Sequence, residues 1–234
     1  MKKLSVLIIA ALLIPEARGA LIIDDFTRPV TPKVFTVNLT DPDPTLLKSS
    51  DFSILGGERD VLVDVVGVSS VVSITGVLGG GQFVFNSVVP GTVAVLQYDG
   101  LDADISGPPA ALVNAEGLAG IDLTAYGNLF YLDFLSIDGG TSNTTGIEIQ
   151  VHGPASASVF AGVIPDSAGP YQFTAVFSSF SDPSVLSDVT SIEVRINPAG
   201  APDVDFVLNE LGVPEPATIL LFSLGATGLL RRWR

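Results

Sequence analysis

Thr145-Gly146-Ile147-Glu148-Ile149-Gln150-Val151-His152 alternates apolar and polar residues along its second half without a break. Side chains on an extended chain repeat every two residues. Ile147, Ile149 and Val151 therefore share one face, and Glu148, Gln150 and His152 share the other. Further on, Ile192, Val194 and Ile196 oppose Glu193, Arg195 and Asn197 in the same way. Strands with one apolar and one polar face belong in antiparallel sheet packed on one side only.

Working outward from these two runs, further segments rich in Val, Ile, Phe and Thr read as strands: 21–27, 34–39, 60–66, 71–78, 82–88, 92–98, 129–136, 156–164, 171–177 and 204–211. Gly-Gly, Pro-Gly and Asp-Gly pairs separate them. Asp182-Pro183 reads as a short helix start, with Asp as N-cap and Pro at the first helical position, ending near Asp188. Leu101 to Gly120 is a looser acidic stretch holding Pro108-Pro109. About a dozen strands with no long amphipathic helix predict an all-β chain, a two-sheet antiparallel β-sandwich of jelly-roll type. A closed barrel is the alternative. No repeat of fixed period argues for a solenoid or propeller.

The two ends differ from the middle. Met1-Lys2-Lys3 is basic, Leu4 to Ile14 is apolar, and Ala17-Arg18-Gly19 places small residues at −3 and −1 of a cleavage before Ala20. Residues 1–19 thus read as a signal peptide. At the other end Pro214-Glu215-Pro216 is followed by the uncharged apolar run Ala217 to Leu230 and then by Arg231-Arg232-Trp233-Arg234. The run is short for a bilayer core of about 30 Å. It has no polar face, unlike an amphipathic core helix. Arginine stems and the tryptophan ring can extend its reach to the headgroups. It is read as a single transmembrane helix, with Arg231, Arg232 and Arg234 as the cytoplasmic stop. Residues 20–212 form the β-sandwich domain and 213–234 the anchor segment.

Between those ends, Arg28, Lys33, Lys48, Arg59 and Arg195 face 23 acids, a net charge of −18. Such a surface repels phosphate backbones and excludes nucleic acid as a partner. It suits solubility and attracts divalent cations. The absence of cysteine removes disulfides, thiol catalysis and thiolate metal sites together.

Val213 to Arg234 resembles the PEP-CTERM sorting signal, a tail also found on ice-binding proteins and recognised by exosortases in bacteria that make an exopolysaccharide matrix. The resemblance implies export, transient anchoring with the domain facing outward, and processing near Pro214, Glu215 and Pro216 by an exosortase-type enzyme, after which the domain stays at the cell surface or in the extracellular matrix. Ile22-Ile23-Asp24-Asp25-Phe26 with Ile54 to Asp60 resembles the opening of many exported domains that carry such tails. Phe173 and Phe177-Ser178-Ser179-Phe180, then Val189 to Val194 and Asp203 to Leu208, are similar to the closing strands of jelly-roll carbohydrate-binding modules.

Catalytic signatures are sparse. The sole histidine, His152, lies at a strand end beside Gly153-Pro154, and neither a Gly-x-Ser-x-Gly elbow nor a His-Glu-x-x-His motif occurs. The chain reads as a non-catalytic structural or adhesive protein. The alternatives are a carbohydrate-binding module for exopolysaccharide and an unrecognised glycosidase with a carboxylate pair. No cofactor is expected beyond a candidate structural calcium. Asp24 and Asp25 on the first strand would hold it with Asp203 and Asp205 on the last, if those strands pair. Asp99, Asp102 and Asp104 form a second acidic cluster, and ordinary solvated acids are the alternative for both. Tyr98, Tyr126, Tyr131 and Tyr171 are the tyrosines available for sugar stacking, since Trp233 lies in the anchor. A flat rank of threonines for ice binding is absent.

Overall fold

A computed structural model describes residues 19–31, 33–38, 45–65, 73–87, 90–101 and 117–215. Residues 1–18 of the signal peptide, the apolar run Ala217 to Leu230, Pro216, Arg231, Arg232, Arg234, Asp102 and Asp104 lie outside the described residues.

Thirteen strands occur among the described residues. They are β1 (Leu21–Asp24), β2 (Lys33–Asn38), β3 (Thr45–Ser50), β4 (Glu58–Val65), β5 (Ser73–Gly79), β6 (Gln82–Ser87) and β7 (Thr92–Tyr98), then β8 (Leu129–Asp138), β9 (Thr144–His152), β10 (Ala157–Pro165), β11 (Tyr171–Val176), β12 (Ser191–Ile196) and β13 (Val204–Val213). They form two antiparallel sheets. The first runs β11-β8-β13-β6-β5-β2, with β1 added on β13, and the second runs β10-β9-β12-β7-β4-β3. Apart from the β3–β4, β5–β6 and β9–β10 hairpins, successive strands from β3 onward change sheets, the interleaving of a jelly-roll sandwich. The open strand orders rule out the barrel alternative.

The predicted faces hold. Ile147, Ile149, Val151, Ile192, Val194 and Ile196 all lie in the core at or near zero exposure. Phe206 at the centre of β13 packs against Phe83 (5.4 Å), Phe85 (5.1 Å) and Phe134 (6.1 Å) from its two neighbouring strands. A second aromatic group, Phe130, Phe160, Phe173, Phe177 and Phe180, closes the sandwich near β10 and β11. The Asp182-Pro183 start is also found: Pro183–Ser187 is a 3₁₀ turn, and the Asp182 carboxylate accepts from the Ser184 N–H.

Three local features differ from expectation. The first strand stops at Asp24 rather than Thr27, because Asp24 Oδ1 accepts the Phe26 N–H at 2.8 Å and Phe26 turns to φ 52°. That short carboxylate-to-backbone bond competes with the ladder. Thr45–Ser50 is a strand where none was read; it pairs with β4 alone and forms a sheet edge. Third, the outward face of the second sheet is less wet than its polarity suggests. Glu193 and Gln97 retain 7% exposure each and Asp60 1%.

Candidate functional site

β13 organises the surfaces that could carry function. Its first half pairs with β6 on one side, its second half with β1 on that same side, and β8 runs along the other. The β1 register sets Leu21 opposite Val213, Ile22 opposite Gly212 and Asp24 opposite Leu211. The first and last strands therefore pair, as the calcium expectation required. The antiparallel register nevertheless separates the four acids: Asp24 stands opposite Leu211, about 20 Å along the strand from Asp205.

Asp24 is instead part of a buried inter-sheet node. Arg59, fully buried, points from β4 into the core and forms an ion pair through Nη1 with Asp24 Oδ2. The same oxygen accepts from Tyr98 Oη at 3.0 Å, and Arg59 Nη2 donates to the Arg28 carbonyl at 2.6 Å. The guanidinium also lies 5.1 Å from the centroid of the Phe26 ring. Burial raises the Asp24 carboxyl above its ordinary value, with Arg59 and the hydrogen bonds opposing. Burial likewise holds the Tyr98 phenol well above 10, so it remains a donor. Sequence reading missed Arg59, although its parity with Val61 and Val63 places it on the apolar face of β4. Asp25 is outside this node; its Oδ1 accepts from Thr27 N and Oγ1 at 3.0 and 2.7 Å.

Asp205 meets other acids at the far end of β13. It lies opposite Asp138 of β8, and together with Asp166 and Ser167 they line a depression of about 270 Å³. Each carboxylate already accepts a backbone N–H: Asp205 from Ser87 (3.1 Å), Asp138 from Gly140 (2.8 Å) and Asp166 from Gly139 (2.6 Å). Burial raises the Asp205 carboxyl, and the charges of Asp138 and Asp203 add to that against the Ser87 bond. Among the described residues no group of three or more His, Asp or Glu side chains is arranged to hold a metal ion.

The outward face of the second sheet carries a polar rank in register: Asp60 of β4, Gln97 of β7, Glu193 of β12 and Gln150 of β9. Arg195 stands opposite Glu148 and donates through Nε to Glu193. Accessibility increases toward β9: Arg195 of β12 is exposed, and Glu148, Gln150 and His152 of β9 are half-buried. Alternating carboxylates, amides and a guanidinium can hydrogen-bond a polyhydroxylated chain. The tyrosines do not join this face as stacking platforms. Tyr98 is fully buried and Tyr131 is 7% exposed, while Tyr126 and Tyr171 pack against the core. Among the described residues the fully exposed aromatic is Phe52, in the turn between β3 and β4.

At its C-terminal end β13 leads directly into Pro214 and Glu215. Gly127 makes room for this exit, since a Cβ there would stand 2.4 Å from the Pro214 carbonyl oxygen. Tyr131 Oη donates to Glu210 across the β8–β13 pair, and burial and that carboxylate hold the phenol above its usual range. Among the described residues no helix is long and apolar enough to cross a membrane.

The fold is similar to the family 11 carbohydrate-binding module of a cellulosomal cellulase of Clostridium thermocellum, at 12% identity and TM-score 0.39, over 86% of this chain and 98% of that one. A structure of the family 11 module from Clostridium thermocellum with a β-1,3-1,4-mixed-linked tetrasaccharide is similar at 14% identity and TM-score 0.37, over 85% and 98%. A xylanase 10C mutant of Cellvibrio japonicus with xylopentaose is similar at 11% identity and TM-score 0.35, over 64% of this chain and 26% of that one. Comparison with curated proteins gives no match. Residues 212–234 match the PEP-CTERM protein-sorting motif family, and they contain the tripeptide, apolar run and arginines read from the sequence. The protein is thus a β-sandwich whose last strand runs into a PEP-CTERM protein-sorting motif.

Proposed function

We propose that this protein is an exported, non-catalytic component of the cell surface or extracellular matrix, with a structural or adhesive role. The observation that carries the reading is the direct passage of β13 into Pro214-Glu215, which hangs a folded acidic domain on a sorting motif without a linker. The signal peptide sends the chain outward. The apolar run Ala217 to Leu230 holds it transiently in the membrane, with Arg231, Arg232 and Arg234 retained inside and the domain outside. An exosortase-type enzyme acts near Pro214, Glu215 and Pro216, where two prolines keep the chain out of helix. Mass spectrometry of protein from the native host tests this: the released form is expected to lack Ala217 to Arg234. A secreted form that retains Trp233-Arg234 would refute it. Turnover of a chromogenic glycoside would refute the non-catalytic part.

The polar rank on the second sheet favours a second reading, binding of exopolysaccharide through Arg195, Glu148 and Gln150. On a glycan array, Arg195→Ala and Gln150→Ala are expected to weaken any binding of the folded protein by about tenfold each, the loss of one or two hydrogen bonds. Binding that survives both substitutions would rule that surface out.

A further inference from the structure

The β1–β13 pairing places the two expected processing sites side by side. In an antiparallel pair, the chain before Leu21 and the chain after Val213 leave the sheet at the same end. Continued by two residues, the register brings Gly19 beside Glu215, and a Cβ on Gly19 would stand 3.5 Å from Glu215 Oε1. Gly19, Ala20 and Glu215 are all exposed there, so the contact is open to enzymes from the solvent side. The other carboxylate at this strand end, Glu210, is engaged by Tyr131 Oη. Asp24 and Asp25 lie at the opposite end of β1.

We propose that removal of the leader builds a cation site against Glu215, and that this step precedes and permits removal of the tail. The proposal rests on the export and tail processing described above. In the leader cut, water adds across the Gly19–Ala20 amide. Gly19 departs with the leader as a carboxylate, and the Ala20 nitrogen, taking a proton, becomes an ammonium. Before the cut, the neutral Gly19–Ala20 peptide lies beside Glu215. After it, the Ala20 ammonium faces the Glu215 carboxylate. The ion pair holds Pro214-Glu215 at the end of β1 in one orientation. The partner of the motif's central residue is thus the new N-terminus of the same chain.

Two measurements on the full chain from the native host test this. Ala17→Leu/Gly19→Leu puts large side chains at −3 and −1 and blocks the leader cut; this variant is expected to keep its tail as well. A chain that retains the leader yet lacks Ala217 to Arg234 would overturn the order. The second needs no folding of that variant: the pH dependence of reductive methylation of the Ala20 α-amine in the processed wild type. Its midpoint is expected a few tenths above the ~7.7–8.0 of a free terminus, and Glu215→Gln is expected to return it to that range. Equal midpoints in the two proteins would overturn the pairing. A wild type that keeps its tail would instead refute the processing reading itself, while the methylation midpoint still decides the pairing.

Discussion

Asp24→Asn tests the buried node most directly. The substitution keeps the shape but leaves one acceptor oxygen, for the Phe26 N–H that Oδ1 now takes. It turns an amide N–H₂ toward Tyr98 Oη and Arg59 in place of Oδ2, and removes the charge that balances Arg59. Arg59 has no exposed surface, so its guanidinium cannot turn to water. Breaking a buried ion pair from one side typically costs about 3–5 kcal/mol. The carbonyl of Arg28 and the Phe26 ring still face the cation, which places the expectation near 3 kcal/mol. For a domain of this size, 1 kcal/mol moves the melting temperature by about 2–4 °C, so a fall of about 6–12 °C is expected. Arg59→Met should be damaging for the complementary reason, because it strands a carboxylate at 1% exposure. The double variant Asp24→Asn/Arg59→Met leaves no charge in the node and should recover to within about 1–2 kcal/mol of wild type. Urea unfolding of the four proteins closes the cycle. Single losses below about 1 kcal/mol that simply add would refute the coupling and leave the node as ordinary packing.

Val194→Asp puts an unpaired charge at a fully buried position and is expected to prevent folding by circular dichroism, whereas a folded variant would overturn the assigned face. Glu193→Lys, although on the outward face, replaces the acceptor of Arg195 by a like charge at a site with 7% exposure; a loss of about 1–3 kcal/mol is expected, and a neutral result would show that Glu193 is wetter than the structure has it. Asp205 has its carboxyl raised above 3.8, so the folded state holds that proton more tightly than the unfolded chain. Its stabilisation is full below 3.8 and is lost as pH rises through the folded value; Asp205→Asn should therefore gain on wild type as pH rises, and a constant difference between the two would refute this. Millimolar calcium is expected to leave the melting temperature unchanged, because Asp24 is committed to Arg59; a rise abolished by Asp205→Asn would instead place a cation beside Asp138, Asp203 and Asp205.

Much of this molecule was legible because its signals are local. Alternation in β9 and β12 follows from the two-residue repeat of an extended chain, and the core uses the faces it marks. The Asp182 cap depends on two adjacent residues, and the sorting motif depends on the order of three short segments. None of these needs a distant partner. Register does: the sequence of β1 is compatible with Asp24 lying at either end of β13, and the pairing of Leu21 with Val213 decides it. That one choice moves Asp24 from an imagined cation site to the Arg59 node and brings Gly19 beside Glu215. The burial of Glu193 and Gln97 also escaped a reading of faces, because polarity reports which side a residue points to and not how crowded that side is. Thr45–Ser50 carries little strand signal of its own and becomes a strand by pairing with the edge of β4. The sequence alone determined twelve of the thirteen strands, the inward faces of β9 and β12 and the terminal motif, since each is written in neighbouring residues. Tertiary structure alone decided register, edges and which charges meet, since those energies exist only once distant segments are packed together.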